Sequence, residues 1–64
     1  SEKAESLFAA IEKLSPERRA LLALRYRESF DISQIAEILG IAEGTVKSRI
    51  HRTLERLRQV MRQK

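Results

Sequence analysis

The last third of this chain constrains everything before it. Between Glu43 and Arg62 the apolar residues Val46, Ile50, Leu54, Leu57, Val60 and Met61 recur at helical spacing. At about 100° per residue they form one continuous stripe. A helix over that span is roughly 30 Å long. In a chain of 64 residues the shorter segments have to pack along such a stripe or remain without a core. A domain this small buries only about 60% of the surface its unfolded chain exposes, so the core is thin and has no room for a buried catalytic cleft. No cysteine is present, which excludes disulfides and thiolate metal sites. The one histidine, His51, has no carboxylates spaced around it as zinc ligands. Nothing in the chain calls for a cofactor, a metal or a small-molecule substrate, and no enzyme activity is expected. No apolar run nears the roughly 18 residues of a membrane span, and no signal-peptide pattern opens the chain.

Local signals place three further helices. Leu7, Ala10, Ile11 and Leu14, with Phe8 beside them, predict a first helix from residue 2 to about 13. Ser15-Pro16-Glu17 reads as a helix start. Serine caps, proline sits where a missing N–H costs nothing, and glutamate suits the positive helix end. The second helix is expected from Pro16 to about Arg27, with Ala20, Leu21, Leu24 and Tyr26 turned inward. Asp31 followed three residues later by Gln34 forms a capping-box pattern. It opens a third helix over 32–39 whose inner face is Ile35, Ala36 and Leu39. Gly40 suits the left-handed position that ends a helix. The linker Gly40-Ile41-Ala42 is then only about three residues long, which is the layout of a helix-turn-helix. The expected fold is all-α, a four-helix domain with a C-terminal helix-turn-helix and a long final helix. Ala42, the expected cap of that helix, has no side-chain oxygen, and Thr45 and Glu43 stand nearby as partial substitutes.

Charge divides along the same line. Residues 1–44 carry six basic and eight acidic side chains, a balance of −2, whereas residues 45–64 carry seven basic side chains against Glu55 alone, a balance of +6. A segment charged in this way points to a polyanionic partner. An α-helix fits the major groove of B-DNA, where each base pair shows its own donor and acceptor pattern. The second helix of a helix-turn-helix enters that groove with its N-terminal residues toward the base edges. Here the outward residues are Lys47, Ser48, His51 and Arg52, the candidates for base contact. Arg56, Arg58 and Arg62 lie further along and suit phosphates or solvent. Phosphate contacts make binding salt-dependent, each adding about 0.9 to the log–log slope. His51 has no oriented partner for general-base chemistry. Phe8, Tyr26 and Phe30 are too scattered for a base-stacking platform, so core or rim packing is expected of them.

These residues resemble a known family. The runs Leu14-Ser15-Pro16-Glu17-Arg18-Arg19, Ile35-Ala36-Glu37-Ile38-Leu39-Gly40-Ile41 and Gly44-Thr45-Val46-Lys47-Ser48-Arg49-Ile50-His51-Arg52 look like region 4 of bacterial sigma factors of the extracytoplasmic-function (ECF) group, within the sigma-70 family. The likeness covers about residues 7–59. The last string is its most specific part, since many helix-turn-helix proteins share the Ile-Ala-Glu turn. The resemblance implies recognition of the −35 promoter element, GGAAC-like in this group, and recruitment of RNA polymerase in the cytoplasm. In relatives the positions of Lys47, Ser48, His51 and Arg52 face the major groove. Arg49 tends toward the phosphate backbone, as does the start of the preceding helix at Ile32, Ser33 and Gln34. Thr45 and Arg56 complete the candidate phosphate contacts. The implied protein partners are the flap of the polymerase β subunit and an anti-sigma factor. The resemblance further implies a domain excised from a longer sigma factor. Thr53 stands where relatives usually carry alanine, Ala42 where serine or proline is frequent, and Ser33 where an acidic residue is common.

Two other readings compete. One is the effector domain of a LuxR or response-regulator-type transcription factor, which shares the Ile-Ala-Glu turn but usually lacks the Ser-Arg-Ile-His-Arg continuation. The other is a helical protein-interaction domain whose basic helix docks on an acidic partner, an anti-sigma factor being one instance.

Overall fold

A computed structural model describes residues 1–62 of the chain, in which the helices run α1 (Glu2–Glu12), α2 (Pro16–Leu22), α3 (Ile32–Leu39) and α4 (Glu43–Arg62). The α3 and α4 spans are those the sequence predicts. Each helix begins where a side chain can cap it, α4 excepted. The Ser1 hydroxyl accepts from the Ala4 amide at 3.2 Å, and the Ser15 hydroxyl accepts from the Arg18 amide at 3.3 Å. At α3 the capping box is complete: Asp31 Oδ1 accepts from the Gln34 amide at 2.8 Å, and Gln34 Oε1 accepts from the Asp31 amide at 2.9 Å. For α4 the Ala42 carbonyl accepts from the amides of Thr45 and Val46.

The helical stretch from Pro16 ends at Arg27 as the sequence predicts, but α2 itself ends at Leu22. The chain runs on into a π-helical turn over Ala23–Arg27, closed by the Glu28 amide donating to the Ala23 carbonyl at 2.9 Å. Ser29 then takes a left-handed conformation (φ 61°), and the Phe30 amide reaches back to the Leu24 carbonyl at 3.0 Å. The end of α3 repeats this device in ordinary form. Gly40 is left-handed (φ 69°) and the Ile41 amide donates to the Ala36 carbonyl at 3.1 Å. The bond from Phe30 spans one residue more because the turn before it is wider. Both devices deliver an apolar residue, Phe30 or Ile41, onto the core. The Arg25 guanidinium secures the first by donating to the Phe30 carbonyl at 3.0 Å.

The core lies in two clusters along α4. Leu21, Ile35, Ala36, Val46 and Ile50 join α2 and α3 to its N-terminal half, and Ala10, Leu14 and Leu57 join α1 to its C-terminal half. Half-buried Leu54 packs against both. The longest dimension of the molecule, 36 Å, is therefore little more than the length of α4 itself.

Several residues expected inside are not. Tyr26 is 59% exposed; at about 100° per residue it lies about 140° round the helix from Leu21, on the outer side. Leu7 and Leu39 are each 42% exposed and Met61 is 37%. Leu39 and Met61 line open clefts instead of joining either core cluster. Ala20 is exposed and lines an open cleft beside Leu21. Phe8, at 69%, is a surface residue.

The two left-handed positions should respond in opposite directions. An added Cβ at Gly40 meets nothing within 4 Å, so the cost of Gly40→Ala is purely conformational. Net of the stiffer unfolded chain it should be about 1 kcal/mol, or a drop of about 4–8 °C in Tm. Ser29→Gly relieves the same strain and should raise Tm. Circular dichroism melts at 222 nm check both, and a fall in Tm for Ser29→Gly would refute the account of the π-turn exit.

Candidate nucleic-acid interface

With one side of α4 committed to the core, its side chains divide by position. Val46, Ile50, Thr53 and Leu57 are buried. Lys47, Ser48, His51 and Arg52 are all exposed on the first turns after Gly40, with Arg52 on the flank of α4 toward α2, where it lines a cleft with Leu21. The four residues singled out for base contact thus share one open surface. None of them has an ion-pair partner among the described residues.

The candidates for phosphate contact are more varied. Arg49 and Arg56 are exposed on one flank of that surface, and Ser33 is exposed at the start of α3. Gln34 is already engaged. Its Oε1 is committed to the Asp31 amide, which leaves only its NH2 group to donate. Thr45 is half-buried, and its backbone amide is tied to Ala42. The structure therefore brings Lys47, Ser48, Arg49, His51, Arg52 and Arg56 onto contiguous turns of one helix, with Ser33 and Gln34 at the neighbouring helix start.

Thr53 has a role the spacing argument overlooked. It is completely buried, and its hydroxyl donates to the Arg49 carbonyl one turn earlier at 2.7 Å. It lies three residues after Ile50 and seven after Val46, within the apolar stripe, but its polarity hid it. Its burial helps set the rotation of α4 about its own axis, and so the direction in which Arg49, Arg52 and Arg56 leave the helix.

One further basic residue was not anticipated. Arg18, at the start of α2, lines a cleft of about 570 Å³ together with Arg49 and Arg52. No group of three or more histidine, cysteine or acidic residues suited to a metal ion is assembled among the described residues. No helix among them is long and apolar enough to cross a membrane.

The family model for sigma-70 region 4 matches residues 4–57, which covers both helices of the turn and most of α4. The chain belongs to the sigma-70 region 4 family. Similar curated proteins are ECF RNA polymerase sigma factors. SigL of Mycobacterium tuberculosis is 44% identical over 54 residues, 84% of this chain and 30% of that protein. SigW of Bacillus subtilis is 44% identical over 52 residues, 81% of this chain and 28% of its own. The RNA polymerase sigma-E factor of Streptomyces antibioticus is 42% identical over 53 residues, 83% of this chain and 29% of its own. The chain thus spans about 30% of the length of the curated relatives it matches. These matches favour the sigma reading over the response-regulator one. This region 4 is part of a family of transcription initiation factors.

The buried threonine offers a test of what sets the recognition helix. Because the Thr53 hydroxyl bonds only to a carbonyl of its own helix, the methyl group carries the packing. Thr53→Ser should cost about 1 kcal/mol through the lost methyl and the small cavity. Thr53→Val should match or exceed wild-type stability in the same chemical-denaturation series. Equal losses in both would show instead that the hydroxyl matters to the fold.

Proposed function

We propose that this domain binds the −35 element of promoter DNA as the region 4 module of an ECF sigma factor. The carrying observation is the division of α4, buried on one side through Val46, Ile50, Thr53 and Leu57 and presenting Lys47, Ser48, His51 and Arg52 on the other. With α4 in the major groove, Lys47 and Arg52 donate to guanine O6 and N7. Ser48 and His51 serve neighbouring base edges. Arg49 and Arg56 meet the phosphates along one wall of the groove, while Ser33, the Gln34 NH2 group and Thr45 meet phosphates near the tip of the turn. The charge of the basic segment supplies affinity, and the four base-facing side chains supply sequence preference.

In the cell this module acts in the cytoplasm as part of a larger factor. It engages the flap of the RNA polymerase β subunit, and an anti-sigma factor masks it when the regulon is silent. Tethering to polymerase raises its effective concentration at the promoter, so weak intrinsic binding is sufficient. The similarity to SigL, SigW and the Streptomyces factor supports this assignment.

The test is a fluorescence-anisotropy titration at two salt concentrations, with one duplex carrying a GGAAC-like element and one scrambled duplex. The promoter duplex should bind more tightly at both salts. Lys47→Ala and Arg52→Ala should each reduce that preference by about 1–3 kcal/mol while the circular dichroism spectrum stays unchanged. Arg56→Ala should weaken both duplexes alike. If Lys47→Ala and Arg52→Ala both keep the full preference, the base-contact assignment fails.

A further inference from the structure

The helix-turn-helix does not account for all the positive charge near the recognition helix. A cleft of about 570 Å³ runs between the start of α2 and the side of α4, with Arg18, Arg49 and Arg52 on its walls and Leu21 and Leu39 among its apolar lining. Glu17 is the acidic residue of that lining. The cleft is large enough for a sugar–phosphate unit.

Two features of Arg18 separate it from an ordinary surface arginine. It is the third residue of α2, in the first turn, where the helix dipole favours anions and disfavours a cation. Its position therefore works against the helix rather than for it. It also has no ion pair among the described residues, and neither do Glu17, Arg49 and Arg52. Three arginines and one glutamate line a common space, and no ion pair links them among the described residues. A bound anion relieves that repulsion, and guanidinium groups match phosphate oxygens in geometry as well as charge.

We infer that Arg18 binds a backbone phosphate of the duplex in the cleft it shares with Arg49 and Arg52, so that α2 and α4 together grip one DNA strand. This rests on the proposal that α4 lies in the major groove. Arg49 and Arg52 leave α4 on the flank facing α2, and a strand following that flank passes the mouth of the cleft. The interface is therefore composite. It joins a residue from before the helix-turn-helix to residues within it, and α2 helps orient α4 in the groove without reading a base.

The effect is separable because one phosphate contact carries a definite salt signature. Removing it lowers the log–log slope by about 0.9, so the ratio of affinities at 50 and 200 mM salt shrinks by about 3.5-fold. Arg18→Ala should show that change equally on promoter and scrambled duplexes, and Arg18→Lys should recover most of the slope. The α2 start tolerates the change, since Ser15 caps through the backbone amide of residue 18, and circular dichroism verifies the fold of each variant. Arg19→Ala is the control, because Arg19 lines a different cleft with Tyr26 and Leu57 and its loss should leave the slope unchanged. An unchanged slope for Arg18→Ala overturns the inference. An equal fall for Arg18→Ala and Arg19→Ala also overturns it, because that pattern reports only net charge. If wild type lacks promoter preference, the base-reading proposal fails on its own, and the slope of Arg18→Ala still decides the phosphate contact.

Discussion

The contact between Ile35 of α3 and Val46 of α4 holds the functional arrangement together. Both side chains are fully buried, and they stand on either side of the turn whose left-handed residue is Gly40. The core has only eight buried apolar residues among the described ones, so no single contact has much redundancy behind it. With Val46 and Ile50 drawn against Ile35, Ala36 and Leu21, the next residues along the helix have to point outward. Lys47, Ser48, His51 and Arg52 are exposed for that reason, and their polar side chains suit the solvent-facing side of the helix.

The separation of charge follows from the same geometry. The two ion pairs among the described residues, Arg27–Glu28 and Arg58–Glu55, are exposed and contribute little to stability. They also lie away from the cleft beside α2. The arginines on the flank of α4 are consequently left with unneutralised charge, which is unfavourable in the isolated domain and favourable when a polyanion arrives. Stability comes from the two apolar clusters, and the exposed basic side chains lie elsewhere on the same helix, so the two can vary independently. Thr53 is where they meet, since its burial turns the helix and the turn of the helix directs the arginines.

Much of the fold could be read because its signals are local. Caps, a proline at a helix start, a capping box and a glycine at a helix end each act over three or four residues, and the span of α3 follows from them directly, whereas that of α4 follows from its apolar period. The readings that failed took an apolar or aromatic side chain as a core one. Tyr26 lies about 140° round the helix from Leu21, so its position, as distinct from its chemistry, already faces outward. Leu7, Leu39 and Met61 have the right chemistry for a core, but whether anything covers them depends on where other helices end. Thr53 was passed over for the opposite reason. Its position in the stripe was right, but its hydroxyl finds a partner inside its own helix, and nothing short of the packed structure displays that.

The sequence by itself determined the spans of the helices, the turn between the last two and most of the buried stripe of α4. It could do so because hydrogen-bond capping and helical period are properties of neighbouring residues. Only the tertiary structure decided that Arg18 stands with Arg49 and Arg52 and that Thr53 belongs to the core. Each of these depends on which elements come together or which bonds are already made, and side chains thirty residues apart in sequence have no local signal of their meeting.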